Sequence, residues 1–413
     1  MSTTTDVNVP SPTPPDAPRV SLGQRLQGLG GNARQYGIFG ALVVIVLLFQ
    51  VLTDGKLLLA NNLAALFQQN AYVMILAIGM VMVIVAGHID LSVGSVVAFV
   101  GGIVAVTMRD PIGLPWTTAV LVGLAVGALV GAWQGFWVAY VGIPAFIVTL
   151  AGMLVFRGLA LVVVGETLAG LPPAFIRIAK GYLPSELLGY VGNMDALTLL
   201  IGAITVGAIV LTQVRARRAL RRHDLHVEAA GLFLAKIAMI AVGIGVLTVI
   251  LSFSAGGTPI VLVIVGVLVV VYSFLMGRTV FGRHIYAIGG NRQAAALSGV
   301  STRKVDFWIF VNIGFLAGVA AVVTTARAGA AIAAAGQGYE LDAIAACFIG
   351  GAAVTGGIGR ISGAIIGALI MGVLNMGLSI MSVDPSWQMA IKGMVLLLAV
   401  AFDLLNKRRA GTQ

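Results

Sequence analysis

The chain has 413 residues, of which 59% are hydrophobic and only 10% are charged. So few charges exclude a water-soluble globular protein of this size and indicate a polytopic membrane protein. The net charge of +10 therefore points to lysines and arginines concentrated in cytoplasmic loops, and not to a nucleic-acid partner.

The chain starts with a stretch rich in threonine and proline, which is too polar to form a core. We predict that residues 1–36 are a disordered cytoplasmic tail, that residues 37–409 form a single transmembrane permease domain, and that residues 410–413 are a short C-terminal tail. Arginines before the first apolar run place the N-terminus in the cytoplasm.

Apolar segments long enough to cross the bilayer follow in quick succession. A helix needs roughly 20 apolar residues to span the hydrocarbon core, and by this measure there are about 12 segments. They are residues 38–52, 61–87, 91–108, two within 111–156, 196–214, two within 237–277, 307–326, 343–359, 361–383 and 388–402. Because 142–165 and 343–359 are short or interrupted by glycine, and are candidates for re-entrant helices, we expect about 10–12 spans. An even number places both termini in the cytoplasm.

A dense basic cluster marks residues 215–229 as a cytoplasmic loop. The cluster contains Arg215, Arg217, Arg218, Arg221 and Arg222. Its simplest explanation is membrane topology together with contact to anionic lipid headgroups.

Residues 278–304, here called segment 278–304, form a polar interval between two long apolar runs. Asn291 is suited to cap a short helix, residues 292–297 are good helix formers, and Gly299 is placed to end it. A short helix with small side chains, on a membrane face rich in arginine and lysine, is typical of a docking element. We predict that a soluble partner pushes on this segment.

An internal repeat is visible at an offset of roughly 240 residues, as expected of transporters built from two copies of one unit. Residues 127–130 (GALV) recur as 367–370 (GALI), 142–146 (GIPAF) as 383–387 (VDPSW), and 151–154 (AGML) as 392–395 (KGMV). Chance matching in a glycine- and alanine-rich chain is the alternative, but a proline and a methionine in register favour a true repeat. In the predicted topology the two copies run in opposite directions, so the repeat is inverted.

Several polar residues lie inside apolar segments and are candidates for a translocation route. Asp90 precedes an apolar run, so it either faces a polar route or caps the helix that follows. The remaining candidates are Ser92 and the amides Asn70, Gln134, Asn312 and Asn375. Amides suit a hydroxyl-rich ligand because each both donates and accepts, but they also pair between helices, and for each one alone packing is the simpler explanation.

No catalytic constellation is present in the sequence. It contains no Walker A motif, so the chain itself is not expected to hydrolyse ATP. We therefore expect a transport subunit and not an enzyme, with no cofactor or metal of its own.

Two rival functions remain open. An ion-coupled secondary sugar transporter would need a pair of buried ionisable groups, and Asp90 is nearly alone. A passive channel would carry sugar independently of ATP.

Three motifs, taken together and in order, resemble the sugar permeases of ABC importers, in the group for ribose, xylose and arabinose. They are GHIDLSVGS at 87–95, GRHIYAIGGNRQAAALSG at 282–299 and GYELDAIAACFIGG at 338–351. The resemblance covers residues 38–409, and the extra apolar pair around the basic cluster is most similar to the xylose branch.

The resemblance implies an all-α permease of the type II importer architecture, which passes D-xylose or a related pentose across the bacterial inner membrane into the cytoplasm. It implies a cytoplasmic ATPase that uses the ATP, a periplasmic sugar-binding protein and a second permease copy, within membrane lipid. It also implies that segment 278–304 docks on the ATPase. The residues carried over to that contact are Arg283, Gly289, Gly290, Asn291, Ala294, Ala295, Ser298 and Gly299. No role for His88 follows from it.

Overall fold

The computed structural model describes residues 22–223, 227 and 229–409, and over these residues the chain is mostly helical. The helices are α1 (Leu22–Leu52), α2 (Ala60–Val85), α3 (Val93–Thr107), α4 (Trp116–Phe136), α5 (Ala145–Val164), α6 (Pro173–Lys180), α7 (Ala196–Arg222), α8 (Ala230–Ser252), α9 (Ile260–Arg278), α10 (Val280–Gly290), α11 (Arg292–Leu297), α12 (Thr302–Ala328), α13 (Tyr339–Ile349), α14 (Ile361–Ile380) and α15 (Pro385–Arg409). Short strands form two antiparallel pairs, β1 (Thr167–Ala169) with β4 (Ala330–Ile332), and β2 (Tyr190–Val191) with β3 (Met194–Asp195).

Eight helices in the described part of the chain are long and apolar enough to cross a membrane. They are α2, α4 with its continuation to Val141, α5, α7, α8, α9, α12 and α14. Two shorter apolar helices, residues 37–52 of α1 and the whole of α3, add to this set. The predicted all-α polytopic fold is confirmed.

Two predicted boundaries differ from the structure. The first helix begins at Leu22 and not near residue 37, since no proline interrupts residues 22–52. The cluster at 215–222 is not a loop but the last two turns of α7, because Arg, Ala and Leu are strong helix formers. The predicted tails at residues 1–21 and 410–413 lie outside the described residues.

The internal repeat corresponds to helices α2–α5 and α12–α15. Helices α2 and α12 pack along each other, with Gly79 against Ile313, while His88 beyond the end of α2 lies beside Asp306 near the start of α12. The two helices are therefore antiparallel. Helix α12 also packs on α3 and α4, and α2 packs reciprocally on α13 and α14. This arrangement confirms an inverted repeat.

Helices α4 and α12 approach closely enough for their backbones to touch. A side-chain carbon added at Gly127 or Gly131 would meet backbone atoms of residues 310–318, and one added at Gly314 would meet the backbone of Gly127 and Gly131. Small residues permit this contact, which is the usual way that helices associate in membranes.

Helix α13 is too short to span. Its 11 residues cover about 16 Å at 1.5 Å per residue, and the glycine-rich residues 350–359 that follow are not helical. The sequence places this helix at 343–359, too late, although its length agrees with the expectation that this segment is too short to span. The other candidate for a broken helix, at 142–165, contains the full-length helix α5.

The bundle has two ends, which are named here from their contacts. The segment end contains segment 278–304, the end of α2, the start of α12 and residues 350–359. The opposite end contains the start of α2, the β1–β4 pair and the end of α8, where the amide of Ala255 donates to Asn61. Residues 166–195, between α5 and α7, contribute β1 and α6 to the opposite end.

Candidate functional site

The short helices α3 and α13 begin at the same place in the interior of the bundle. Gly94, in the first turn of α3, lies against the carbonyl of Gly336 and the carboxylate of Glu340. Because both helices meet at their N-termini, two partial positive charges face one region. Half-helices whose N-termini meet at the centre of an inverted repeat are a common way to build a transport site.

Carboxylates accompany both of these helix starts. Asp90 is 1% exposed, and its Oδ1 accepts hydrogen bonds from the backbone N–H and the hydroxyl of Ser92 at 2.8 and 2.6 Å. Asp90 is not itself the N-cap, since α3 begins at Val93 with Ser92 in the cap position. It folds the turn that leads into α3. On the other side, Glu340 and Asp342 occupy the first turn of α13.

Three of the predicted route residues come together around this turn. Gln134 of α4 is 2% exposed and donates to the Ser92 hydroxyl at 2.7 Å, and Ser92 in turn donates to Asp90. The chain Gln134–Ser92–Asp90 therefore connects a full-length helix to the start of a half-helix.

The other predicted amides lie elsewhere and do not join this cluster. Asn375 of α14 donates to Asn70 of α2 at 3.0 Å, whereas Asn312 of α12 accepts from Tyr272 of α9 at 3.2 Å. Asn312 follows Asn70 by 242 positions, and Asn375 follows Gln134 by 241, so these four residues are equivalent pairs of the repeat. Each makes a hydrogen bond that holds two segments together.

A further polar cluster was missed by the sequence reasoning. The phenol of Tyr72 donates to Asp342 at 2.7 Å, the Lys392 ammonium lies 3.4 Å from the same carboxylate, and the rings of Tyr72 and Tyr339 stack at 3.6 Å. The cluster joins α2, α13 and α15. Its signal in the sequence was the pair of lone charges Asp342 and Lys392, because charges inside apolar segments require partners.

Asp90 is not nearly alone as a buried ionisable group, contrary to the expectation from the sequence. The structure also buries Asp342, which is 5% exposed, and Asp306, which is 0% exposed. Buried ionisable groups are therefore present, and the choice between mechanisms must depend on other observations.

Segment 278–304 contains two helices, α10 and α11, where the sequence predicted one. The predicted helix at 292–297 is confirmed, with the Asn291 side chain accepting from the amide of Ala294 at 2.9 Å and Gly299 in the left-handed region at φ +83°. Helix α10 was not predicted. Its start is capped by Thr279, which accepts from the amide of Gly282.

Helix α10 is packed firmly on the bundle. Gly289 lies against the carbonyl of Val85 and the amide of Gly357, leaving no room for a side chain. The phenol of Tyr286 donates to the carbonyl of Gly359 at 2.6 Å. Segment 278–304 is thus in direct contact with the end of α2 and with the loop that follows α13.

Most of the residues carried over to the docking contact are exposed. They are Arg283, Gly290, Asn291, Ala294, Ser298 and Gly299. Gly289 and Ala295 are not, because Gly289 packs on Val85 and Ala295 is 5% exposed, facing the bundle. The side chain that projects furthest is Leu297, which is 90% exposed and was not among the predicted contacts. Together with the exposed Ala294 and Ala296, it gives α11 three apolar side chains that do not pack on the bundle.

A cavity of about 560 Å³ opens beside segment 278–304. It lies between the Gly87–Ile89 turn, residues 138–146 and the start of α12, and its polar lining comes from His88, Arg292 and Arg303. Residues 87–89 therefore line this cavity immediately before the buried Asp90.

Replacing Asp90 with alanine should lower the free energy of unfolding by about 1–3 kcal/mol, because two buried donors on Ser92 lose their acceptor. Asparagine keeps an acceptor oxygen, so Asp90→Asn should fold and retain uptake. Thermal unfolding in detergent and uptake per folded molecule measure the two effects. A folded Asp90→Asn protein with little uptake would instead place Asp90 on the route.

The family comparison and the search for relatives both identify permeases of transport systems. The family model described as the branched-chain amino acid transport system permease component matches residues 62–400. The xylose transport system permease protein XylH of Haemophilus influenzae is 40% identical over 92% of this chain and 98% of its own length. The Escherichia coli K12 XylH protein is 39% identical over 92% and 94%, and the ribose import permease protein RbsC of Bacillus subtilis is 33% identical over 90% and 94%. No solved structure matches.

Proposed function

This chain belongs to the permease family described as the branched-chain amino acid transport system permease component, and from that premise we propose how it works. It is the membrane-spanning permease subunit of an ABC importer for sugar. The sugar is D-xylose or a related pentose, and a separate ATPase drives its passage into the cytoplasm.

One observation carries the substrate assignment. Identity of 40% to a xylose permease extends over 92% of this chain and 98% of that relative, whereas identity to the ribose permeases is 32–33%. Both groups of relatives span about nine tenths of this chain, so the higher identity to the xylose permease favours xylose.

The proposed orientation places the segment end in the cytoplasm, together with both termini. Basic residues support it, since Arg278, Arg283, Arg303 and Lys304 are all at that end. The ATPase then docks on α11, and the periplasmic sugar-binding protein docks on the opposite end. A second copy of the chain completes the permease, and the arginines at the end of α7 contact anionic lipid.

Uptake of labelled D-xylose into proteoliposomes tests the proposal. The chain is co-purified with its ATPase from the native membrane, the binding protein is added outside, and ATP is enclosed inside. We expect uptake that requires all three components and that unlabelled D-xylose competes better than D-ribose. Preferential competition by D-ribose would overturn the xylose assignment, and failure of any ATPase to co-purify would count against the importer itself.

A second candidate is an ion-coupled sugar transporter, favoured only by the pair of the buried Asp342 with the half-buried Lys392. It predicts that the chain alone accumulates sugar when a proton or sodium gradient is imposed, without ATP. Uptake that equilibrates and ignores gradients, ATP and the binding protein would instead indicate a passive channel. We expect neither result, since the relatives are permease components of transport systems.

A further inference from the structure

Asp306 of α12 is buried, and its carboxylate contacts two side chains from different parts of the chain, Arg292 and His88. Its side chain is 0% exposed. One carboxylate oxygen, Oδ2, accepts from the Arg292 guanidinium at the start of α11. The other, Oδ1, lies 3.2 Å from Nε2 of His88 in the turn after α2. A fully buried charge in a membrane protein is costly, which makes Asp306 a candidate for a functional role.

The three residues join the proposed docking helix to the start of the half-helix α3. His88 is two positions before Asp90, whose carboxylate fixes the turn into α3. Arg292 is the first residue of α11. We propose that Asp306 is a positioning residue, which passes a displacement of α11 through His88 to the 87–90 turn. This inference rests on the proposed function, since it gives α11 an ATPase to respond to.

The distribution of contacts explains why α11 needs such a link. Helix α10 is held by backbone packing of Gly289 on Val85 and by the Tyr286–Gly359 hydrogen bond. The described contacts of α11 with the bundle are fewer, namely the burial of Ala295 and the Arg292–Asp306 pair. Loss of the Asp306 charge should therefore loosen α11 while α10 stays in place.

The measurement is the number of sugar molecules moved per ATP hydrolysed by the complete complex in proteoliposomes. A residue that only stabilises the fold changes the yield of active complex but not this ratio. We expect Asp306→Asn to lower the ratio by about 5-fold or more, within the usual range of coupling between sites, while ATP hydrolysis continues. The control is Asp384→Asn, the same change at an exposed aspartate between α14 and α15, which should leave the ratio unchanged.

His88 supplies a second variant that keeps the Arg292–Asp306 pair intact. His88→Leu should lower the ratio as Asp306→Asn does, and His88→Gln, which retains a donor, should restore much of it. The double variant Asp306→Asn with His88→Leu should lower the ratio no further than the more severe single variant does. Both substitutions interrupt the same connection between α11 and the 87–90 turn, so their effects should not add. If the wild-type complex moves no sugar, the proposed function fails. If the wild-type complex is coupled and both single variants keep its ratio, the inference is overturned.

Discussion

Replacing Ala294 with tryptophan should strongly reduce ATP-driven sugar uptake while the protein still folds. Ala294 is exposed on α11, and its neighbour Ala296 is exposed as well, so a bulky side chain can be accommodated without disturbing the bundle. The same bulk would prevent α11 from lying close against an ATPase. We expect uptake to fall by about 5- to 150-fold, the range typical of energetic coupling between two sites.

The size of the side chain is the variable, so Ala294→Ser serves as the matched control. Serine is nearly as small as alanine, and uptake should be close to that of the wild type. Ala295→Trp is a different experiment, because Ala295 is 5% exposed and a large residue there should displace α11 from the bundle. Uptake and ATP hydrolysis are measured in the same proteoliposomes. Full uptake by Ala294→Trp would remove α11 from the proposed ATPase contact.

Local signals in the sequence were enough to predict α11 and most spans. The cap formed by Asn291, the helix at 292–297 and the left-handed Gly299 each depend on residues within a few positions of one another. The spans follow from hydropathy, since a bilayer leaves little alternative to a helix for a long apolar segment.

The centre of the fold depends on contacts that no local pattern contains. The start of α3 touches the start of α13 through Gly94 and Gly336, which are far apart in the chain. The repeat offset indicated that two copies exist, but it did not show that their half-helices meet. The same limit applies to Tyr72 and Asp342, whose hydrogen bond spans 270 positions.

The predicted route residues show how polarity alone can mislead. Asn70, Asn312 and Asn375 were grouped with Asp90 because all lie in apolar segments, yet the structure divides them among separate helix contacts. An amide in a membrane helix needs a partner whatever its function. Repeat equivalence relates Asn70 to Asn312 and Gln134 to Asn375, but it does not predict their partners, which are Asn375 for Asn70 and Tyr272 for Asn312.

Helices α4 and α12 belong to different copies of the repeat and pack on each other through glycines. Gly131→Ala adds one methyl group where α4 meets the backbone of Phe310 and Gly314. Because both neighbours are backbone, neither can move without shifting a helix. We expect the stability of the folded protein to fall by about 1–3 kcal/mol, the usual cost of overpacking.

Gly158→Ala is the matched control, since Gly158 is an exposed helical residue of α5 with open space around it. Alanine is the better helix former, so this change should raise stability by as much as about 1 kcal/mol. The two identical substitutions should therefore shift the thermal unfolding midpoint in detergent in opposite directions. A midpoint that rises in both proteins would show that α4 and α12 are further apart than the glycine contacts require, and the close packing between the two repeats would have to be abandoned.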